Sequence, residues 1–350
     1  MKHKRTLITA IVVFLLGILI YSQFREWRDF DWHTFWAQTH HVHGIHVIYA
    51  IGLIYLHYAL RALRWKIFLR PIKKTSWAGL IPPTLIGFTG LALLGRPGEF
   101  IRPYLIARRE GLSLSSQIAV WTVERIFDLG AFTSLMVAAI FFSKGLRQLS
   151  FYPQFRDAGF LLIAGVAGLA LVLTLIAKNG NRLADWAEAR IGKLRAELGH
   201  KVATKIREFG LGLNTIDGFW SLTQLSAVSV AMWYLIALAY REVTHAYAIP
   251  SLQHLTISKV LLLMGSSMVG SMVQLPAVGG GSQVATISAL SGIFAVPKES
   301  AVSCGILLWL VTFMSVSPLG LALAHRARLS LRQLSKESAQ AEASTTPATI

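Results

Sequence analysis

Glu124-Arg125-x-x-Asp128 places three ionisable residues inside the apolar stretch Gln117 to Phe142. An ionisable side chain at membrane depth costs about 2.5 to 3.5 kcal/mol on insertion, so each is a functional candidate by default. If its helix begins near Ser113, Glu124 lies about 16 Å along the axis at 1.5 Å per residue, past the interface. Glu124 and Asp128, four apart, share a face, and Arg125 and Asp128, three apart, can pair. An arginine held by carboxylates still has donors for a phosphate. A plain ion pair stitching two helices together uses the same residue types, and the spacing alone does not separate the two readings.

A second cluster follows the break Gly95-Arg96-Pro97-Gly98, where Glu99 and Arg102 stand close in sequence. Arg96 and Arg102, beside backbone N–H groups freed by the turn, suit a lipid phosphate. Alternatively Arg96, Arg102, Arg108 and Arg109 only set orientation. A third candidate is Gly279-Gly280-Gly281-Ser282, shortly after Pro276. Three glycines allow close backbone approach to a ligand and equally make an ordinary tight turn. The Gly-Lys-Ser/Thr ending of a phosphate-binding P-loop is missing. Arg61-x-x-Arg64-Trp65 reads first as an anchor at the aromatic belt, with admission of substrate as the alternative for Arg64. His33, His40, His41, His43 and His46 crowd one segment without a recognised ligand spacing, so neither a metal nor a cofactor is expected.

The elements that must position these residues follow from composition. The chain has 350 residues, 54% of them hydrophobic and only 15% charged, with a mean hydropathy of +0.53. A soluble domain carries about 25% charged residues, and apolar runs near 20 residues suit hydrocarbon of roughly 30 Å. The fold class is therefore an all-α polytopic membrane protein. Six full spans are expected: Leu7 to Tyr21, Val42 to Leu60, Gln117 to Phe142, Ala158 to Ala177, Trp220 to Tyr240 and Ala301 to Ala324. The first follows Met1-Lys2-His3-Lys4-Arg5 without a small-x-small cleavage site, so it reads as an uncleaved anchor. Two further stretches are interrupted by Pro and Gly, which break helices: Ala78 to Leu94 with Pro82-Pro83, and Leu255 to Leu275 followed by Val284 to Val296.

The formal charge of +17 is concentrated beside the apolar runs, which points to anionic headgroups rather than nucleic acid. Basic segments at both termini, after the second span and over Arg182 to Arg207 assign those parts to the cytoplasmic side. The interrupted stretches must then enter and leave from one face each, on opposite sides. Residues 1–157 and 158–334 become two halves of opposite direction, an inverted-topology repeat whose broken elements meet near the midplane. Residues 181–214 carry Trp186, Ile191, Leu194, Leu198, Val202, Ile206 and Phe209 at helical spacing, an amphipathic pair on the inner surface. The segment 335–350 is poor in apolar residues and is expected to be disordered.

Arg61-Ala-Leu-Arg64-Trp65, Gly95-Arg96-Pro97-Gly98-Glu99-Phe-Ile-Arg102, Glu124-Arg125-Ile-Phe-Asp128 and Leu275-Pro276 with Gly279-Gly280-Gly281, in this order, resemble the lysylphosphatidylglycerol synthase transmembrane region family, the flippase-like domain family. In two-part members this domain precedes a cytosolic aminoacyltransferase and is implicated in moving the aminoacylated lipid between leaflets. The resemblance implies a stand-alone member of a prokaryotic cytoplasmic membrane, without aminoacylation activity. It would bind and translocate a phospholipid or polyprenyl-phosphate-type lipid through Arg64, Arg96, Glu99, Arg102, Glu124, Arg125, Asp128, Pro276, Gly279, Gly280 and Gly281. The alternatives are a non-catalytic membrane partner of a separate synthase and an intramembrane lipid-modifying enzyme. The loop Val278-Gly279-Gly280-Gly281-Ser282-Gln283 departs from the family pattern, where an acidic residue is expected after the glycines.

Overall fold

In the computed structural model, which describes residues 30–148, 151–193, 196–213, 218–271 and 280–345, every regular element is a helix. The expected first span, 7–21, lies outside the described residues, as do Pro276 and Gly279. Helix α1 (Trp32–His40) starts where the Asp31 carboxylate accepts from the N–H groups of His33 and Thr34, satisfying donors that a helix start leaves open. Helix α2 (Gly44–Leu69) is followed by α3 (Trp77–Leu94), a 3-10 turn (Arg96–Phe100) and α4 (Ile101–Glu110). Gly95 and Gly111, at φ 69° and 63°, close α3 and α4 in conformations that favour glycine. Helix α5 (Leu114–Phe142) begins at Ser113, whose hydroxyl accepts from Ser116 N–H.

Besides two four-residue helices, Lys144–Arg147 and Pro250–Gln253, there follow α6 (Tyr152–Ile191), kinked at Asn179, α7 (Ala196–Leu213), α8 (Gly218–His245), α9 (Ile257–Gly270) and α10 (Gly280–Gly292). Helix α11 (Lys298–Trp309) passes through a π turn (Leu310–Met314) into α12 (Ser317–Arg326), and α13 (Leu331–Thr345) follows. Five helices are long and apolar enough to cross a membrane: Gly44–Leu69, Trp77–Leu94, Ser116–Phe142, Gly218–His245 and Lys298–Arg326. The protein is an all-α, multi-pass membrane protein.

Two expectations change. Pro82-Pro83 do not break α3, which runs 18 residues and about 27 Å. Both prolines fall in its second turn, so the bonds forfeited are to the carbonyls of Ala78 and Gly79, at an exposed edge of the helix. The apolar run 158–177 forms the part of α6 before the kink at Asn179, and the amphipathic segment expected from residue 181 starts after it. Residues 335–345, expected to be disordered, continue α13; Leu334 is buried with Ile86, Ile101, Leu105 and Ala324, which supplies the apolar contact that composition alone does not reveal.

Helices α3 and α4 form a hairpin whose ends meet. Lys73 Nζ donates to the Glu110 carbonyl at 2.6 Å, and the Arg109 guanidinium lies against Gly79. The chain thus leaves and returns at one end, but through α4: the return expected within 78–94 is not made there, and Arg96 stands at the turn, away from Arg108 and Arg109. Helices α9 and α10 make the matching hairpin in the second half, with Gly270 packed on Gly281 and Ala285. Helices α2 and α8 run antiparallel, joined by His46–Glu242, His57–Met232, Arg64–Ser229 and Arg70–Gln224. Each packing of the first half recurs in the second: α2 on α3 as α8 on α9, α4 on α5 as α10 on α11, and α3 on α12 as α9 on α5. In these packings α2 and α8 take equivalent places.

Candidate functional site

On α2, His57, Arg61, Arg64 and Trp65 recur at spacings of four, three and one, which puts them on one face. That face meets Glu124 and Asp128 of α5 and Ser229 of α8, while Arg102 comes in from the first turn of α4. Arg102 gets there because the hairpin arms touch: a Cβ at Gly87 would collide with the Cβ of Arg102, and one at Gly98 with the carbonyl of Gly90.

Glu124 and Asp128 are held between three guanidiniums. Arg64 Nη2 donates to Glu124 Oε1 at 2.6 Å, and Arg64 Nη1 donates to Asp128 Oδ1 at 2.7 Å and to the Ser229 hydroxyl at 2.8 Å. Arg102 grips Glu124 with both terminal nitrogens, Nη1 to Oε1 at 3.0 Å and Nη2 to Oε2. Arg61 Nη1 lies 3.5 Å from both Glu124 Oε1 and Asp128 Oδ2. Its Nε donates to His57 Nε2 at 2.9 Å, and His57 Nδ1 is 3.2 Å from the Met232 carbonyl. A carbonyl only accepts and Arg Nε–H only donates, so the ring carries its proton on Nδ1 and is neutral. Trp233 Nε1 donates to Asp128 Oδ1 at 3.3 Å. The Arg102 guanidinium is stacked 4.3 Å from the Trp65 ring and 4.9 Å from Phe88, and Arg61 is 4.7 Å from Phe88. All five charged members are buried, so bidentate geometry and ring stacking replace the water they have lost.

Arg125 is not part of this cage. One residue after Glu124, it points about 100° further round the helix and is 42% exposed, 3.8 Å from Glu99 and 5.1 Å above the Trp121 ring. The expected Arg125–Asp128 pair gives way to Arg64, Arg61 and Trp233 on Asp128, and to Glu99 on Arg125. Between cage and pair lies a cavity of ≈ 10 Å³ lined by Gly87, Phe88, Leu91, Glu99, Arg102 and Arg125, room for about one water. Arg96 is exposed at the start of the 3-10 turn.

The structure thus brings together Arg64, Arg102, Glu124 and Asp128, with Glu99 and Arg125 next to them. Gly280 and Gly281 belong to the other hairpin, where Gly281 touches Gly270. Arg64 stands five residues before the end of α2, about 8 Å along the axis, and twenty residues, about 30 Å, from its start. The charged cage therefore lies toward the Leu69 end of α2 rather than halfway along it. Sequence reading took Arg61 for an anchor and passed over His57, Phe88, Ser229, Trp233 and Gly87; the spacing 57-61-64-65 on one face was the available signal for the first two members of the cage.

No curated relative and no solved structure matches the chain. The family model described as the lysylphosphatidylglycerol synthase TM region matches residues 6–320, and the chain belongs to that family.

Proposed function

We propose that this protein binds the phosphate of a phospholipid or polyprenyl-phosphate-type lipid at the cavity between Arg102, Arg125 and Glu99, and passes that lipid between leaflets without chemically changing it. The observation that carries this reading is the exposed Arg125, about 16 Å inside a membrane-crossing helix, next to a second guanidinium at a small opening. An arginine in such a position without a role is costly, and guanidinium is matched to phosphate in geometry and charge. The tails stay in the bilayer while the headgroup moves along the α3–α4 hairpin. The cavity has room for about one water, so the hairpin has to separate from α5 before a headgroup fits. The basic segments support a reading with both termini and the Arg182–Arg207 segment on the cytoplasmic side, and the family resemblance supports a prokaryotic cytoplasmic membrane.

Reconstituted vesicles carrying a fluorescent phospholipid test this reading. Wild-type protein is expected to flip the lipid above the protein-free background, and Arg125→Ala to lose most of that rate. Equal rates at the background for both would refute transport.

A second reading, a membrane partner that positions a separate synthase, is favoured by the α6–α7 pair. Trp186, Leu198 and Val202 are exposed there beside Arg182, Arg190 and Lys193. Co-purification of a synthase that is lost on deleting 182–207, with no flip activity, would favour it over transport. Release of free phosphate or another product from labelled lipid by purified protein would instead favour an intramembrane enzyme.

A further inference from the structure

The charge of the cage has a consequence for the ligand, given the lipid-site reading above. Three guanidiniums, those of Arg61, Arg64 and Arg102, face two carboxylates, those of Glu124 and Asp128. His57 is neutral by its hydrogen bonds. The neighbouring pair Arg125–Glu99 sums to zero. One positive charge is in surplus whether or not that pair is included, and it is buried, where an uncompensated charge is far more costly than in water. Donors are in surplus too: among the described residues, Arg64 Nε is buried with no acceptor. The cavity touching Arg102 is where the surplus can be met from outside, and its other charged walls are Arg125 and Glu99.

We propose that the site selects a headgroup of one net negative charge, a phosphodiester, over zwitterionic headgroups and over net-cationic aminoacylated ones. A phosphodiester between Arg102 and Arg125 brings the cage to neutrality. A phosphomonoester, with a second ionisation near pH 6, carries up to two charges and overshoots. A zwitterion leaves the surplus where it was, and an aminoacyl ammonium adds to it, with Glu99 as the sole acid on the cavity wall.

The test is a titration of the purified full chain in non-ionic detergent with short-chain lipids, read by calorimetry. The set is phosphatidylglycerol, phosphatidylcholine, lysylphosphatidylglycerol and phosphatidic acid, with deacylated glycerophosphoglycerol as the tail-free arm. Phosphatidylglycerol is expected to bind at least tenfold more tightly than phosphatidylcholine or the lysyl lipid. Arg125→Gln takes the local sum to zero and should erase that difference; Glu99→Gln takes it to two and should move the preference toward phosphatidic acid. Equal affinity for phosphatidylglycerol and phosphatidylcholine in the wild type would overturn the proposal, as would a ratio that neither variant changes. Equal binding of the deacylated arm would support the charge rule and assign a soluble phosphodiester as the source. Transport is judged separately in vesicles: charge-selective binding without flipping removes the transport reading and keeps this one, whereas flipping indifferent to headgroup charge does the reverse.

Discussion

Arg102 reaches Glu124 with both terminal nitrogens across the interface between the α3–α4 hairpin and α5, and its guanidinium is stacked on Trp65 of α2. One side chain thus ties three elements together, and Glu124 is the acceptor on which all three guanidiniums of the cage converge. Glu124→Gln should therefore be among the most destabilising single changes in the chain. It leaves three buried cations facing Asp128 alone, and breaking a buried pair by removing one partner costs about 3 to 5 kcal/mol. Thermal unfolding in detergent should show a lower midpoint or no folded protein; an unchanged midpoint would mean the cage contributes nothing to stability.

Arg125 should behave in the opposite way. It is 42% exposed and its nearest acid is 3.8 Å away, and a partly exposed pair of this kind is worth about 0 to 1 kcal/mol. Arg125→Gln should keep the wild-type unfolding midpoint within a degree or two while Arg64→Gln loses the fold. Measuring both variants side by side separates the residue offered to a ligand from the residue spent on structure.

The helices were legible because apolar run length is set by the bilayer itself. The hairpin turn at Gly95 was not legible: the return was expected within 78–94, whereas α3 runs straight to Leu94 and residues 96–110 make the return. The cage was legible only in halves. Glu124 and Asp128 stand out as acids in an apolar run, but their partners Arg61 and Arg64 lie near the end of a span, where arginine serves equally well as an anchor. Which partner an acid takes depends on helix rotation, and that is decided by contacts such as Gly87 on Arg102, which no single-helix pattern contains. The α13 helix was missed because its apolar contact, Leu334 on Ile101 and Leu105, is long-range.

That contact is itself testable. Leu334 is buried at 2% exposure, Tyr104 Oη donates to Glu337 Oε2 at 2.9 Å, and the Ser335 hydroxyl donates to the Pro97 carbonyl at 3.4 Å. Burying one leucine is worth about 1.5 to 3 kcal/mol, most of what pins α13 to the hairpin. Leu334→Asp should make residues 331–345 sensitive to protease while the membrane helices stay folded. Cleavage kinetics identical to wild type would show α13 is held by something else.

The contact between the end of α6, after its kink at Asn179, and α7 should loosen in acid. Glu188 accepts from His200 at 2.9 Å and from Arg207 at 3.1 Å, and these bonds, His200 first, hold its carboxyl below the usual carboxylate range. A depressed folded-state value means the contribution is fully present above the unfolded value, near 4.3, and is lost as pH falls through the folded one. Hydrogen exchange of α7 amides, corrected for intrinsic rates, should show protection falling below about pH 4 in wild type and already reduced at neutral pH in Glu188→Gln. A pH-independent difference between the two proteins would contradict this assignment.

Two glycines in the membrane helices should respond oppositely to the same substitution. At Gly87 an added Cβ meets the Cβ, Cα and backbone N of Arg102, which cannot swing away as a side-chain tip can; at Gly130 of α5 nothing lies within 4 Å. Gly87→Ala must push α3 from α4 and drag Arg102 off Glu124, an overpacking cost of about 1 to 3 kcal/mol plus part of the cage. Gly130→Ala should be neutral or stabilising by about 0.5 to 1 kcal/mol, since alanine loses less backbone freedom in a helix. If separation of the hairpin from α5 is the opening step for a headgroup, Gly87→Ala protein that still folds, with Arg102 drawn off Glu124 of α5, should also show faster labelling of a cysteine at position 99 than the Gly130→Ala protein carrying the same cysteine. Slower or equal labelling would mean that the hairpin does not open along this seam.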